Sequence, residues 1–296
     1  MNYFQKNNTI FPGTIVLPND AYDTKKNQLN GRRIAGKSFI EGVIKNLHHN
    51  ENLNIIVFSD NEISQLKDIA KQIDADPKRI NFYVGLDNVN YETIENIHLP
   101  IPDLDRWSII RSGYRSNIFS ITGLIHTLCS SSIIDALRDY LTGGLESWDS
   151  LVCTSKSGKE VVEKTINFHH ENLERKYKEK LSKKKYPKIT TIPLAVNDIT
   201  YDKDLSREEK RYQARKKLNI NEDSLIILSL GRLSFHSKYH PLPLYRSIAK
   251  LTAKSPNQEI ILLECGNFYN EYIQSNYNNL INSINPLTVK RIGGLT

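Results

Sequence analysis

The stretch GRRIAGKS, Gly31 to Ser38, fits the G-x-x-x-x-G-K-[ST] pattern of a phosphate-binding P-loop. In such a loop backbone N–H groups cradle phosphates, the Lys reaches the β- and γ-phosphates, and the hydroxyl holds Mg²⁺. The chemistry needs a buried strand ending at the first glycine and a helix beginning after the second. Here NDAYDTKKNQLN stands before Gly31, and TKKNQLN is too hydrophilic for a parallel strand covered on both faces. From Gly36 onward, Phe39, Ile40, Val43, Ile44 and Leu47 recur on one helical face. Gly36 therefore belongs to the buried stripe of a helix, where a missing side chain permits close approach. Gly31 stands at or just before the helix start, where free N–H groups and the positive dipole end form a general anion site. A kinase or NTPase using Lys37 and Ser38 is the rival, with Asp60 after IIVFS either its Mg²⁺ ligand or part of the next helix's N-terminus.

Other candidates lie further along. His126 ends the apolar run NIFSITGLIHT, at the carboxyl edge where α/β sheets meet ligands; it is equally a structural strand-end histidine. Ser155 ends DSLVCTS and offers a hydroxyl to a ligand or a cap to the following helix. Arg232 and Lys238 follow SLIILSL in a loop, and taken alone they are ordinary loop cations. Metal-ligand spacings such as H-E-x-x-H do not occur, so no metal is expected. Cys129, Cys153 and Cys265 are far apart and odd in number, each in or beside an apolar segment. Buried thiols are expected rather than a disulfide or metal framework.

The elements that must position these residues alternate. TIVLP, LNIIVFS, RINFYVG, NIHLPIP, NIFSITGLIHT, DSLVCTS and ITTIPLAVN read as strands. Between several of them run helical patterns, including SDNEISQLKDIAKQI with Ser59 and Glu62 in capping-box spacing, and SGKEVVEKTINF with Ser157 and Glu160 so spaced. Strand and helix in alternation predict an α/β fold, a doubly wound parallel sheet with helices on both faces. Polar NDITYDKD and the basic helix SREEKRYQARKKLNI, capped by Ser206 and Glu209, read as a linker and place a domain boundary near residue 221. Residues 222–296 then hold three strand candidates, against the five or six, and on the order of 100 to 150 residues, of a complete doubly wound domain. The second domain is expected to be incomplete.

Composition narrows the partners. The 296 residues are 39% hydrophobic and 25% charged, with net charge +7, ordinary for a globular chain. No apolar run reaches the roughly 18 residues of a membrane span, and the first residues lack a signal peptide's apolar core; a cytoplasmic location is expected. Much of the charge lies in ERKYKEKLSKKKYPK, without the exposed aromatics or reader motif of a nucleic-acid binder. Nucleic acid is not an expected partner. Weak attraction to an anionic membrane surface, peripheral to the inner membrane face, fits the cluster better.

The phrases TGLIHTL, SLVCTSKSGKEVV, TIPLAVN and SLGRLSFHSKYHPLPLY, in this order, resemble the retaining glycosyltransferases of the GT-B fold, over most of residues 14–240. The resemblance implies two Rossmann-type domains and transfer of a sugar from a nucleotide-diphosphate donor to a glycan or lipid-linked acceptor hydroxyl. It implies no metal and no cofactor beyond the nucleotide-sugar co-substrate. By similarity Arg232 and Lys238 hold the donor diphosphate, on whose oxygens negative charge grows as the glycosidic bond breaks. His126 faces the donor sugar from across the interdomain cleft, with Gly31 and Ser155 lining that side. Two features depart from the family: Arg and Lys are one residue further apart, and Tyr239 stands where a Gly commonly follows the Lys. The family's pair of Glu residues eight apart does not occur before Thr296, and Glu264 comes too early to belong to it. A sugar- or nucleotide-binding fragment without turnover is the non-enzyme alternative.

Overall fold

The computed structural model describes residues 9–24, 31–181, 186–195, 205–236 and 238–293. The chain forms two compact units, Met1–Asp198 and Ile199–Thr296.

In the first unit β1 (Thr9–Ile10) and β2 (Gly13–Val16) lie along β3 (Glu51–Val57) at successive registers. Ile55 of β3 pairs with Ile15 on one side and with Phe82 of β4 (Ile80–Val84) on the other. The sheet continues from β2 through β5 (Asn96–Leu99), β6 (Ser120–Ile125), β7 (Ser150–Cys153) and β8 (Lys188–Thr191), all parallel. The order β4-β3-β2-β5-β6-β7-β8 reverses direction between β2 and β5. That reversal is the topological switch point, beside which doubly wound sheets open a crevice at their carboxyl ends.

Successive strand residues point to opposite faces, and two cores follow. Ile15, Leu17, Ile55 and Val57 pack with Ile40 and Ile44 of α1 (Gly31–Lys45) and Leu66 and Ile69 of α2 (Asp60–Gln72). Ile56, Ile97, Ile121 and Leu151 pack on the other face with Trp107 of α3 (Asp105–Ser112), Leu137 of α4 (Ser131–Asp139) and Val162 and Ile166 of α5 (Lys156–Tyr177). Each such aliphatic side chain contributes about 1.5 to 3 kcal/mol on burial.

At the amino ends of β6 and β7 an ion pair closes the second core. Arg111 of α3 meets Asp149 through two bonds of 2.7 Å, with 1% and 0% of their side chains exposed. The guanidinium also donates to the carbonyls of Phe119 and Gly144, and the carboxylate accepts from the N–H groups of Ile121 and Glu146. Four guanidinium N–H bonds and both carboxylate oxygens are engaged, which is what makes a buried pair tolerable.

The second unit holds β9 (Leu225–Leu230), β10 (Ile260–Cys265) and β11 (Thr288–Ile292), parallel in the order β11-β10-β9, with α6 (Arg207–Lys217), α7 (Leu242–Lys254) and α8 (Glu271–Asn282). Its core joins Leu233, Tyr245, Ile248, Ile260, Leu262, Ile273 and Tyr277. The division of the chain falls before α6, earlier than the boundary expected near residue 221. Arg215 of α6 is buried and donates to the carbonyls of Asn221 and Ser224, and Lys290 of β11 reaches the carbonyls of Leu218 and Asn219. These bonds fasten the polar helix to the second unit, and no apolar stripe announces them.

Some local expectations change. The Ser59 and Glu62 box and the Ser206 and Glu209 box both form. The cap of helix α5 instead lies two residues before the expected Ser157: Ser155 caps it, and Glu160 pairs with Lys164 inside it. Helix α3, absent from the sequence reading, has few apolar residues and is held by Trp107 and the buried Arg111. Cys153 and Cys265 are buried as expected, whereas Cys129, also expected to be buried, is exposed beyond the end of β6. Among the described residues no helix is long and apolar enough to cross a membrane.

Candidate functional site

Gly31 is the first residue of α1, exposed, with open space where a Cβ would stand. The whole of Gly31–Ser38 is helical, which overturns the P-loop alternative. A cradle needs its N–H groups turned inward on a wrapped loop, and here most are engaged or aligned along the helix axis. Lys37 lies 3.7 Å from Glu41 one turn on. The second glycine serves packing: a Cβ on Gly36 would stand 2.0 Å from the carbonyl oxygen of Ala21, so α1 rests directly on the 3-10 turn Asn19–Ala21 that follows β2. Glu62 fixes the same turn from α2, accepting from the N–H groups of Asn19 (2.8 Å), Phe58 (2.6 Å) and Ser59 (3.2 Å).

His126 follows the last residue of β6, at the carboxyl edge. It is half-buried, and its Nε2 is sealed from solvent with no hydrogen-bond partner among the described residues. Burial, and then the neighbouring Arg32 guanidinium, lower its pKa and keep the imidazole neutral. Arg32, the second residue of α1, bonds Asp20 at 3.1 Å through one terminal nitrogen, while its Nε is buried without a partner among the described residues. A second histidine stands beside this pair. His98 of β5 lies against the Phe39 ring of α1, centroids 5.0 Å apart, and its Nδ1 is 2.9 Å from Thr122 Oγ1 of β6. Burial first, and then His126, hold its pKa down to about 4. Its Nε2, too, is sealed and has no partner among the described residues. Helix α1, the end of β6 and the strand beside the switch point thus bring Arg32, His126 and His98 into one neighbourhood.

Ser155 lies past the end of β7, the strand next to β6, with its Oγ accepting from Gly158 N–H at 3.0 Å. The hydroxyl is exposed, and capping is the contact it makes.

In the second unit, Arg232 and Lys238 lie beyond the carboxyl end of β9. Gly231 has φ +139°, and a Cβ on Gly266 (φ +153°) would meet the Gly231 carbonyl oxygen at 2.0 Å. The chain after β9 thus presses on the chain after β10, an approach only glycine permits. Arg232 sits over the Tyr269 ring at 5.8 Å, a cation–π contact that steadies the guanidinium. Lys238 is exposed, its backbone N–H bonded to the Ser234 carbonyl. Glu264 is fully buried, accepting from Tyr245 Oη at 2.6 Å and Arg291 Nε at 2.8 Å, and burial with this carboxylate raises Tyr245. Its role is internal. No group of three or more His, Cys, Asp or Glu suited to a metal occurs among the described residues.

His98 and Arg32 are the residues of this candidate site that sequence reasoning missed. NIHLPIP carried the signal, because a histidine in a strand of a two-sided parallel sheet needs a polar partner.

No family model and no curated protein matches the chain. Solved structures do. Anabaena Alr3699/HepE in complex with UDP-glucose aligns with TM-score 0.56 at 10% identity, over 96% of this chain and 69% of that one. The same protein in complex with UDP gives 0.55 at 11% identity, over 97% and 70%. The N-terminal domain of Candida albicans trehalose-6-phosphate phosphatase gives 0.55 at 12% identity, over 96% and 73%. At such identities the likeness establishes the fold: α/β, with Rossmann-type units like those of GT-B proteins.

Proposed function

We propose that the chain is a glycosyltransferase that moves a sugar from a nucleotide-diphosphate donor to a hydroxyl of a glycan or lipid-linked acceptor, with retention at the anomeric carbon and without a metal or resident cofactor. The observation that carries this proposal is the neutral, unpaired His126 at the carboxyl edge of β6, in a fold shared with a protein crystallised with UDP-glucose. Arg232 and Lys238 bind the donor diphosphate, Arg with its planar fork and Lys as a point charge, and stabilise the charge that develops on the leaving oxygens. His126 hydrogen-bonds a sugar hydroxyl, and Gly31 and Ser155 line the same edge. Neutrality suits His126 to this task, since a charged imidazolium would oppose positive charge on the sugar as the anomeric bond breaks. The protein works in the cytoplasm, with its basic segment drawn weakly to an anionic membrane face.

Calorimetry with UDP, UDP-glucose and ATP tests the proposal. UDP binding weakened roughly 10- to 100-fold by Arg232→Ala, the loss of charge-assisted bonds, and unchanged by Lys37→Ala supports it. Binding of ATP that depends on Lys37, or no binding of UDP, sinks it. UDP-glucose bound but never hydrolysed or transferred identifies the non-catalytic binding alternative.

A further inference from the structure

The proposed function leaves one residue beside the donor cations unexplained. Tyr239 follows Lys238, and its hydroxyl is bonded to that of Ser229, near the carboxyl end of β9. A lysine on an untied loop is a loose half of a two-point site, because loop and stem both lose freedom when a ligand binds. Here the backbone around Lys238 is held at three places. Its own N–H donates to the Ser234 carbonyl at 3.0 Å. The Tyr239 carbonyl accepts at 3.5 Å from Oη of Tyr277, a fully buried residue of α8. The Tyr239 side chain returns to Ser229, three residues before Arg232. That last contact closes the chain from Ser229 to Tyr239 on itself, with both cations inside the closure. The Arg232 end is tied separately, to the chain after β10. Leu233 N–H donates to the Asn267 carbonyl at 3.0 Å, Tyr269 N–H donates to the Leu233 carbonyl at 3.3 Å, and Gly266 presses on Gly231. The Tyr239 hydroxyl is thus the side-chain contact that joins the Lys238 end to the strand carrying Arg232.

We propose that Tyr239 is a positioning residue: with Ser229 it latches the Lys238 backbone to β9 and sets the spacing of Arg232 and Lys238 as a two-point clamp for a nucleoside diphosphate. A clamp arranged before the ligand arrives loses less conformational entropy on binding. The spacing matters for two linked phosphates, one at each cation, and little for a single one. That the clamp holds a diphosphate rests on the glycosyltransferase proposal; the latch itself does not.

Calorimetry and amide exchange on the full chain test this. Tyr239→Phe keeps the ring and deletes the hydroxyl, and Ser229→Ala deletes its partner. Each should weaken UDP roughly three- to tenfold, the scale of one hydrogen bond, while UMP binding stays within about twofold. The double variant should bind UDP no more weakly than either single one, because both remove the same contact. In a Lys238→Ala background Tyr239→Phe should have no further effect on UDP, since no ammonium is left to position. The Lys238 amide should exchange faster in both single variants, with or without nucleotide, while the amides of β10 keep their rates. Equal losses for UDP and UMP, an undiminished effect in the Lys238→Ala background, or unchanged exchange at Lys238 refutes the latch. A wild-type chain that binds no UDP refutes the functional proposal instead, and amide exchange then decides the latch by itself.

Discussion

Arg111→Met should destabilise the first unit by about 4 kcal/mol. The guanidinium makes two 2.7 Å bonds to Asp149 in a site with 1% and 0% side-chain exposure. Charge-assisted bonds contribute about 1.5 to 3 kcal/mol each, and breaking one partner of a buried pair costs about 3 to 5. Two features keep the loss inside that range. Asp149 retains the N–H groups of Ile121 and Glu146 as donors, and methionine keeps the apolar stem in contact. Both tryptophans, Trp107 and Trp148, belong to the first unit, so their fluorescence in urea follows that unit alone. At a slope of about 2 kcal/mol per molar, the midpoint should fall by about 2 M. Asp149→Asn in the Arg111→Met background removes the stranded charge yet keeps an oxygen for Ile121 N–H. The double variant should therefore be less destabilised than the sum of the singles, by up to about 3 kcal/mol. A loss below 1 kcal/mol for Arg111→Met, or strict additivity, would refute the assignment of this pair as the clamp on β6 and β7.

Three further outcomes follow from the geometry. Gly36→Ala sets a methyl 2.0 Å from the Ala21 carbonyl oxygen and should cost about 1 to 3 kcal/mol, whereas Gly31→Ala, with open space around it, should leave the urea midpoint unchanged or slightly raised; equal effects would contradict the roles given to the two glycines. Gly266→Ala forces a side chain at φ +153° into the Gly231 carbonyl and should destabilise the second unit and lower UDP affinity through Arg232, seen as faster amide exchange in β9 and β10 and weaker calorimetric binding. His98, lowered by burial and by His126 from 6.5 to about 4, is neutral in the fold and protonates more readily unfolded. Its contribution is complete above pH 6.5 and is lost as pH falls toward 4, at up to about 1.4 kcal/mol per pH unit; His98→Phe should flatten that part of the stability profile, and an unchanged acid slope would contradict it.

The alternation of apolar runs made the α/β class legible, because a parallel sheet covered on both faces demands nearly continuous apolar strands, as Ile55 to Val57 and Ile260 to Leu263 supply. Capping boxes at Ser59 and Ser206 were legible for a related reason: they satisfy orphan N–H groups within four residues of sequence. What stayed hidden was held by single polar side chains acting over long separations. Arg111 reaches Asp149 across 38 residues and Lys290 reaches Asn219 across 71, and neither leaves a periodic trace.

The candidate site divides along the same line. His126 was visible because a strand's carboxyl end is a position that can be counted along the sequence. His98 was not, since its meaning depends on a neighbour, Thr122, that only the sheet register supplies. The P-loop letters show the converse error. GRRIAGKS has every residue type of the motif, but its first glycine begins a helix and its second lies under the Ala21 carbonyl, so its N–H groups do not turn inward on a phosphate. Residue types set what chemistry is available; the neighbours set by the fold decide whether it can be used.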